Sequence, residues 1–592
     1  MPHMLILAVA NHLHHDSAAV VAQDYQILSA VQTERLTRVK GDGQGIHRPT
    51  IAEALRIAGA SIHDVDALLI SPYSIPLQYF DPWPLKRSLS NHFARRVRGR
   101  IRYAFALPNG ARYREVEYKV KFIPERFLKD LGLREDCEFF FYEHHFSHAL
   151  SALFFTDYEN ALIYTADGGG DFRYYSAHYL SGATLRNAIP PPPPRGRWRW
   201  LPKEGAACVG LAYRFMTEAL GYTPNRHEGK LTGLAAYGEP EIYDEIRAPF
   251  RVLDDGQITS ELRSGEELKS LIFSAARRTT PQNAAASVQK LLEDLILSSI
   301  GAHLRHSNAR QVALAGGVFA NVTLNRRIAE LPGVQQVFIF PGMGDEGLAV
   351  GGLYQYLLER DGLQHWLAQR RPLADVYWGG AYDAELPRVF ADSEIERLPG
   401  TVAETTAQLL QEGEIVALFN GRMEFGPRAL GARSILASPA QQSVNNTLNA
   451  RLERTEFMPF APCVLEEDAD EVFEVTDANR YAMRFMTITC QVRKAWRARI
   501  PAVVHVDGTA RPQIVREEWN PLYAQILRCF KQRSGLPVLV NTSFNAHEEP
   551  IIHTPAECLR ALRGGRVDYV AAESGVYRLR QTKPRASRRS AR

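Results

Sequence analysis

The chain has 592 residues, of which 45% are hydrophobic and 23% charged, with a formal net charge of +4 at pH 7. That length exceeds one ordinary core and predicts two domains, or one large duplicated domain plus another, while the near-neutral balance excludes a disordered polyelectrolyte and gives no reason to expect nucleic acid or a membrane as partner. Charge is locally uneven: Arg95, Arg96, Arg98, Arg100 and Arg102 form one run, read as a solvated helix face, and the end of the chain from Lys583 is basic, so that residues 581–592 read as a disordered tail.

In chain order, residues 4–10 form an apolar run too short to span a bilayer, with neither a basic n-region nor a small-residue cleavage site, and so predict a first buried strand. Runs 18–22 and 27–32 continue a meander, 50–58 reads as helix and 67–71 as strand. An aromatic and arginine-rich insertion of unassigned role fills 72–118. Strand is predicted over 139–142, helix over 144–155, and strand over 161–166, ending in the turn Asp167-Gly168-Gly169-Gly170 before a return strand at 174–180. Pro190 to Pro194 can be neither helix nor central strand and require an exposed loop. A helix follows near 286–304; strand 311–315 then feeds helix 322–329, and strand 336–340 feeds helix 346–359. Strands feeding helices through glycine-rich turns indicate an α/β core, in which ligands gather where the strands end. The pattern changes after Asp361, placing a boundary near residue 370; helix 403–411 and strands 415–419 and 537–541 supply a second domain. No tandem repeat of about 20 to 50 residues is visible. The six cysteines are scattered without a CxxC pair, which predicts free, mostly buried thiols and a reducing, cytoplasmic setting.

Chemistry concentrates in a few places. His144 and His148 stand one turn apart on a single helix face, Asp167 ends a strand, Asp345 sits in Gly342-Met343-Gly344-Asp345-Glu346-Gly347, and His15 follows the first strand. Two imidazoles and two carboxylates suit Fe²⁺, Mn²⁺ or Zn²⁺ better than Mg²⁺, which rarely accepts nitrogen. Structural helix histidines are the competing reading of the pair alone; a zinc-protease reading fails because His145 stands where the base glutamate would be. The turns at Gly168 to Gly170, Gly316-Gly317-Val318 and Gly342 to Gly347 suggest a nucleotide bound by backbone N–H groups, without a Walker or Rossmann motif. Lys230, in Glu228-Gly229-Lys230-Leu231, could neutralise phosphate or stand solvated at the surface. In the second half, arginines recur beside glycine and polar residues at 421–434, 451–462 and 506–513, implying an anionic substrate, and Asn541-Thr542-Ser543-Phe544-Asn545 closes a strand with hydrogen-bonding side chains.

His15-Asp16-Ser17, Glu34-Arg35 with Lys40, the 144–148 segment, Asp167-Gly168-Gly169-Gly170, Gly229-Lys230-Leu231, Gly316-Gly317-Val318 and Gly344-Asp345-Glu346-Gly347 resemble, in order, the N-terminal half of the NodU- and CmcH-type O-carbamoyltransferases. Segments 422–434, 455–462, 505–513 and 541–545 resemble their C-terminal half, so the likeness spans residues 4–580. The family includes enzymes that decorate aminoglycosides, cephamycins, ansamycins and nodulation factors.

The resemblance implies an α/β protein with an N-terminal ASKHA-type duplicated domain over 1–370, bearing a metal and nucleotide site, and a C-terminal YrdC-like α/β domain over 371–580. In the family the YrdC-like domain takes carbamoyl phosphate and ATP, with Mg²⁺, to carbamoyl adenylate, releasing phosphate and pyrophosphate; the metal-bearing domain transfers the carbamoyl group to an acceptor hydroxyl and AMP leaves. By resemblance His144, His148, Asp167 and Asp345 hold Fe²⁺ or another divalent transition metal, with His145 as a group behind them. His15 is the general base, acting with Lys40 and Arg428 as catalytic residues. Gly168, Gly169, Gly170, Lys230, Gly316, Gly317, Val318 and Asn321 are the binding residues implied in the first domain. Arg428, Arg433, Arg454, Arg511, Asn541, Ser543 and Asn545 are those of the second, where the arginines meet the phosphates of ATP and carbamoyl phosphate. A hydroxylated small molecule is the implied acceptor, and a homo-oligomer is compatible with the family. Ala546-His547-Glu548 departs from the glycine-containing form expected after Asn545, and the arginine-rich insertion is specific to this lineage. A tRNA threonylcarbamoylation-type enzyme, a sugar or acyl kinase sharing only the first fold, and a non-catalytic nucleotide-binding regulator remain as alternatives.

Overall fold

The computed structural model describes residues 3–11, 15–71, 75, 79–81, 121–170, 173–189, 205–454 and 459–580. The arginine run at 95–102, most of the 72–118 insertion, the proline run, residues 455–458 and the tail at 581–592 lie outside the described residues.

Two compact units emerge. The first runs to Gly379 and takes back two later segments, Phe425–Pro427 and Val475–Thr489; the second comprises Gly380–Glu424, Arg428–Glu474 and the described residues from Cys490 onward.

The first unit contains two five-stranded sheets of one topology. Strands β1 (Leu5–Ala10), β2 (Ala18–Gln23), β3 (Gln26–Gln32), β4 (Ala67–Ile70) and β5 (Glu138–Phe141) pair in the order β3-β2-β1-β4-β5. The first three form an antiparallel meander, and β4 and β5 continue parallel to β1. Strands β6 (Asn160–Gly170), β7 (Arg173–Ser181), β8 (Thr184–Asn187), β9 (Gln311–Ala315) and β10 (Gln336–Ile339) repeat that order and those senses as β8-β7-β6-β9-β10. This is the duplicated ASKHA-type arrangement. The central strands are covered on both faces and therefore read as unbroken apolar runs: Leu68, Leu69 and Ile70 of β4 are all buried, as are Ile6, Leu7 and Ala8 of β1.

Helix α1 (His144–Phe154) leaves β5 directly, and its partner α4 (Leu348–Asp361) follows β10; between them in sequence come α2 (Pro281–Arg305) and α3 (Val322–Ala329). The α1–α4 crossing is close because Gly351 faces the Ser147 carbonyl and Gly352 faces the Tyr142 ring, where any Cβ would overlap its neighbour. Tyr142 donates its hydroxyl to the Val9 carbonyl (2.8 Å), and the Gln355 side chain accepts from the Glu143 N–H (2.8 Å), so the start of α1 is pinned from two sides. The Val475–Thr489 segment packs into the same unit through Tyr481, which stacks on Phe338 (centroids 4.5 Å apart) and donates to the Phe155 carbonyl (2.6 Å).

The second unit is built on one mixed eight-stranded sheet. Its strands are β11 (Ile395–Arg397), β12 (Val416–Phe419), β13 (Arg433–Ala437), β14 (Ala461–Leu465), β15 (Gln513–Val515), β16 (Val538–Ser543), β17 (Tyr569–Ala572) and β18 (Gly575–Leu579), in the order β11-β18-β17-β12-β13-β16-β14-β15. Helices Val402–Gln411 and Pro521–Ser534 pack on one another beside it.

Candidate metal centre and substrate sites

His144 and His148 occupy the first two turns of α1, Asp167 lies near the end of β6, and Asp345 opens the short 3₁₀ turn Asp345–Gly347 after β10. His144, His148 and Asp345 stand beyond strand ends, while Asp167 lies inside β6, three residues before its end. His148 Nε2 is 3.2 Å from Asp167 Oδ2 and 3.5 Å from Asp345 Oδ1; His144 Nε2 is 3.6 Å from each carboxylate. The four candidate ligand atoms lie within 4.8 Å of one another. Metal–ligand bonds of about 2.1 Å give donor separations of about 3.0 Å in an octahedron and about 3.4 Å in a tetrahedron, so the cluster has the edge lengths of a coordination shell. Nε2 of His148, the ring nitrogen that faces both carboxylates, is buried without a hydrogen bond among the described residues, as expected of a nitrogen whose partner is a cation. The donor set of two imidazoles and two carboxylates fits a divalent transition metal.

The electrostatics point the same way. Burial alone would depress His148, but Asp167 and Asp345 outweigh it and raise it to about 9. Burial would raise Asp167, yet His144 and His148 hold it well below the carboxylate range. His15 lies at the rim, Nδ1 3.6 Å from Asp345 Oδ2 and 3.4 Å from Asp16 Oδ2; burial opposes its charge, but Asp16, Asp345 and Asp167 raise it to about 10. Glu346 is buried beside them, and desolvation together with Asp16 pushes it up to about 8.

The Asp-Gly-Gly-Gly stretch was expected as a turn. Instead β6 continues through it, and Gly170 pairs with Arg173 of β7 after an irregularity in register. Only glycine fits this close passage, because a Cβ at Gly170 would fall within the His144 ring. Gly170→Ala should therefore displace His144 and weaken metal binding about tenfold or more, measured by titration of the full chain with Mn²⁺. Next to Asp167, Gly168 and Gly317 are exposed, Gly168 has open space where a side chain would stand, and the Gly317 N–H donates to Asp167 Oδ2 (3.4 Å). Gly169 is exposed as well, so bare backbone lies open beside the candidate ligand Asp167, a surface a phosphate or ribose can approach closely; Gly316 is buried against the Ala166 carbonyl and Val318 is half-buried.

Other first-half residues fall into distinct roles. Lys230 is on helix Glu228–Ala235, largely buried, with its ammonium 5.9 Å from the Tyr222 ring centre. Asn321 caps α3 through the Leu324 N–H (3.0 Å) and donates to Gln289 (2.8 Å) and Thr232 (3.3 Å), so its amide is engaged by the fold itself. Lys40 precedes a strap whose Gly41 N–H donates to Glu34 (2.7 Å) and whose Asp42 carbonyl accepts from the Ser17 N–H (2.9 Å), placing the strap along His15-Asp16-Ser17. Sequence reasoning assigned no role to Asp16, whose φ of 55° is rare for a non-glycine residue, or to Arg35. Arg35 is buried, ion-paired with Glu34, and donates to Gln32 Oε1 (2.9 Å) and to the Gly426 carbonyl (2.8 Å). Cys208 also went unassigned: its thiol donates to the Asp167 carbonyl (3.4 Å), and burial pushes it up to about 12.

In the second unit the strand-end motif serves an arginine. Arg454 donates to Thr542 Oγ1 (2.7 Å), to Ser543 Oγ (3.0 Å) and to Asn545 Oδ1 (3.0 Å), so Ser543 and Asn545 orient its guanidinium. Asn541 is buried, bonding Gln513 (2.8 Å) and the Ala429 carbonyl (3.2 Å), and braces the 428–431 loop from below. Arg428 and Arg511 are half-buried. Arg433 corrects the expectation of a phosphate ligand: it is 0% exposed, lies 3.6 Å over the Phe419 ring, and donates to the carbonyls of Ala432 (3.0 Å), Gly421 (3.2 Å), Asn420 (3.4 Å) and Gly380 (3.4 Å). Its charge is spent on scaffold carbonyls.

Comparison with known proteins decides what the two units are. A family model described as the carbamoyltransferase N-terminus matches residues 5–353, and one described as the carbamoyltransferase C-terminus matches residues 407–578. The chain belongs to the carbamoyltransferase family. It is 32% identical over 594 residues to nodulation protein NolNO of Sinorhizobium fredii, covering 98% of this chain and 81% of that protein. It is 34% identical to nodulation protein NolO of Bradyrhizobium diazoefficiens, with 70% and 75% covered. Among solved structures, T. kodakarensis HypF has a TM-score of 0.32 at 15% identity, covering 61% of this chain and 50% of that one. The (R)-2-hydroxyglutaryl-CoA dehydratase component A of Acidaminococcus fermentans has 0.33 at 13%, covering 60% and 100%.

This carbamoyltransferase has six free cysteines, of which Cys529 is half-buried and the others buried, and among its described residues no helix is long and apolar enough to cross a membrane. The metal-ligand candidates lie within the N-terminal family match, and the arginine-bearing loops within the C-terminal one.

Proposed function

We propose that the chain is an ATP-dependent O-carbamoyltransferase working in two steps. In the second unit, carbamoyl phosphate, ATP and one water give carbamoyl adenylate, phosphate and pyrophosphate. In the first unit, the carbamoyl group passes to a hydroxyl of a small natural-product acceptor and AMP leaves. Carbamate is a poor electrophile, and joining it to AMP supplies a leaving group and an adenosine handle for positioning.

The observation that carries this reading is the four-donor cluster beside exposed glycine backbone, in a chain whose two halves both match carbamoyltransferase models. His144, His148, Asp167 and Asp345 would hold the metal, with Fe²⁺ the family's expected ion; bound there, it supplies a Lewis acid that offsets anionic charge. The exposed backbone at Gly168, Gly169 and Gly317 accommodates the adenylate. His15 takes the proton of the acceptor hydroxyl. Asp16 does most to raise His15, with Asp345 and Asp167 adding to it, and a divalent cation held by Asp167 and Asp345 would cancel their part and return His15 toward the range of a general base. In the second unit Arg428, Arg454 and Arg511 bind the phosphates of ATP and carbamoyl phosphate, Arg454 presented by Thr542, Ser543 and Asn545.

Incubation of metal-loaded chain with ATP, carbamoyl phosphate and Mg²⁺ should yield carbamoyl adenylate, detected by mass, together with pyrophosphate. Adding hydroxylated small molecules such as aminoglycosides should reveal acceptors as carbamate products. Folded, metal-loaded protein that released no pyrophosphate would refute the adenylate step.

A further inference from the structure

His145 stands in sequence beside one metal-ligand candidate and three residues before the other, yet faces elsewhere. Its ring is 0% exposed, with Nε2 3.1 Å from the Arg173 carbonyl oxygen and Nδ1 2.8 Å from Thr165 Oγ1. A carbonyl oxygen only accepts, so Nε2 carries the hydrogen and Nδ1 accepts from the Thr165 hydroxyl. Thr165 Oγ1 in turn receives the Ser176 hydroxyl (2.8 Å) and the Ser176 N–H (3.2 Å), and Ser176 Oγ receives Nε2–H of His178 (3.2 Å). Every hydrogen in the chain His178–Ser176–Thr165–His145–Arg173 thus has one direction, and His145, Thr165 and Ser176 are each bonded on both sides.

The two anchors of His145 are informative by position. Thr165 lies two residues before Asp167 on β6, and Arg173 opens β7 paired with Gly170, whose missing side chain makes room for the His144 ring. A residue next to His144 on an α-helix points about 100° away around the axis, so fixing His145 fixes the rotation of the helix that aims His144 and His148. We propose that His145 is a positioning residue of the metal centre, holding α1 against β6 and β7 so that the two imidazoles meet Asp167 and Asp345. The inference rests on the metal-centre reading above. Ligands of this kind lose affinity when supporting hydrogen bonds are removed, because a shift well under 1 Å opens the shell.

The test is Mn²⁺ binding to the full chain, with free ion counted by electron paramagnetic resonance and folding followed by circular dichroism. His145→Leu, close in volume but without hydrogen bonds, should bind about 10- to 100-fold more weakly than wild type. His145→Gln, which can donate to Arg173 and accept from Thr165, should recover most of that loss. Thr165→Val should weaken binding in the same direction, and Thr165→Ser should not. A folded His145→Leu chain binding like wild type would overturn the inference, as would Thr165→Ser losing as much as Thr165→Val; if the leucine variant does not fold, the glutamine and Thr165 variants decide. Wild-type chain that fails to bind Mn²⁺, or His148→Ala chain that binds it unchanged, would overturn the metal centre itself and this inference with it.

Discussion

His148→Ala is expected to abolish stoichiometric metal binding and to lower carbamoyl transfer about a thousandfold, while pyrophosphate release from ATP and carbamoyl phosphate stays near the wild-type rate. His148 lies closest to both carboxylates, 3.2 Å from Asp167 and 3.5 Å from Asp345, and its removal takes away one of four candidate donors. Loss of the charge that a bound cation places against a developing anion is a matter of several kcal/mol, and about 4 kcal/mol corresponds to a thousandfold in rate. The first step should survive because the arginines proposed to serve it belong to the other compact unit. The measurement is a pair of assays on one preparation: pyrophosphate release, and transfer from preformed adenylate to an acceptor. Equal loss in both assays would refute the division of labour, and retention of both would refute the metal's part in transfer. Because a buried histidine is removed, His148→Gln gives the control for packing; it should lose the metal while retaining the fold.

The sequence made the first unit legible because its chemistry sits where apolar runs stop. Strands β1, β6 and β10 announce themselves by apolar runs, and His15, Asp167 and Asp345 come within a few residues of where those runs stop. The pairing of His144 with His148 needed only helical spacing. The duplication itself was invisible to a search for repeats, since the two copies share strand order and sense, which periodicity does not encode. The glycine run after Asp167 was misread for a related reason. Glycine permits a turn, but here it permits an extended strand to pass under the His144 ring, and only the tertiary position of that ring distinguishes the two. Ser543 and Asn545 were legible as hydrogen-bonding groups, but their partner, Arg454, lies about ninety residues away, and nothing local signals the pairing.

Arg433 is the sharpest case, because a guanidinium flanked by glycine looks the same in sequence whether it faces phosphate or backbone. Its surroundings predict a stability defect in place of a binding defect. Four carbonyls accept from it, and Glu424, whose Oε1 accepts the N–H groups of Leu430 (2.7 Å), Arg433 (3.3 Å) and Ala432 (3.4 Å), is buried close by. Burial pulls the Arg433 guanidinium below its usual range, and the nearby Glu424 carboxylate opposes that pull. Arg433→Met would keep much of the stem packed on Phe419 but leave those carbonyls without their donor and the Glu424 carboxylate without its counter-charge. Leaving buried acceptors without their donor costs about 1–3 kcal/mol each, enough in sum to unfold a marginal unit. The double variant Arg433→Met with Glu424→Gln should be less destabilised than the sum of its parts, because the second change removes the orphaned charge. Thermal unfolding with and without ATP and carbamoyl phosphate discriminates between the two roles. A scaffold arginine lowers the transition by the same amount whether or not ligand is present and leaves the KM for carbamoyl phosphate unchanged in the folded fraction. A phosphate-binding arginine would leave the unliganded transition in place and raise that KM, as is expected for Arg454→Lys, where the fork held by Thr542, Ser543 and Asn545 is lost but the charge remains.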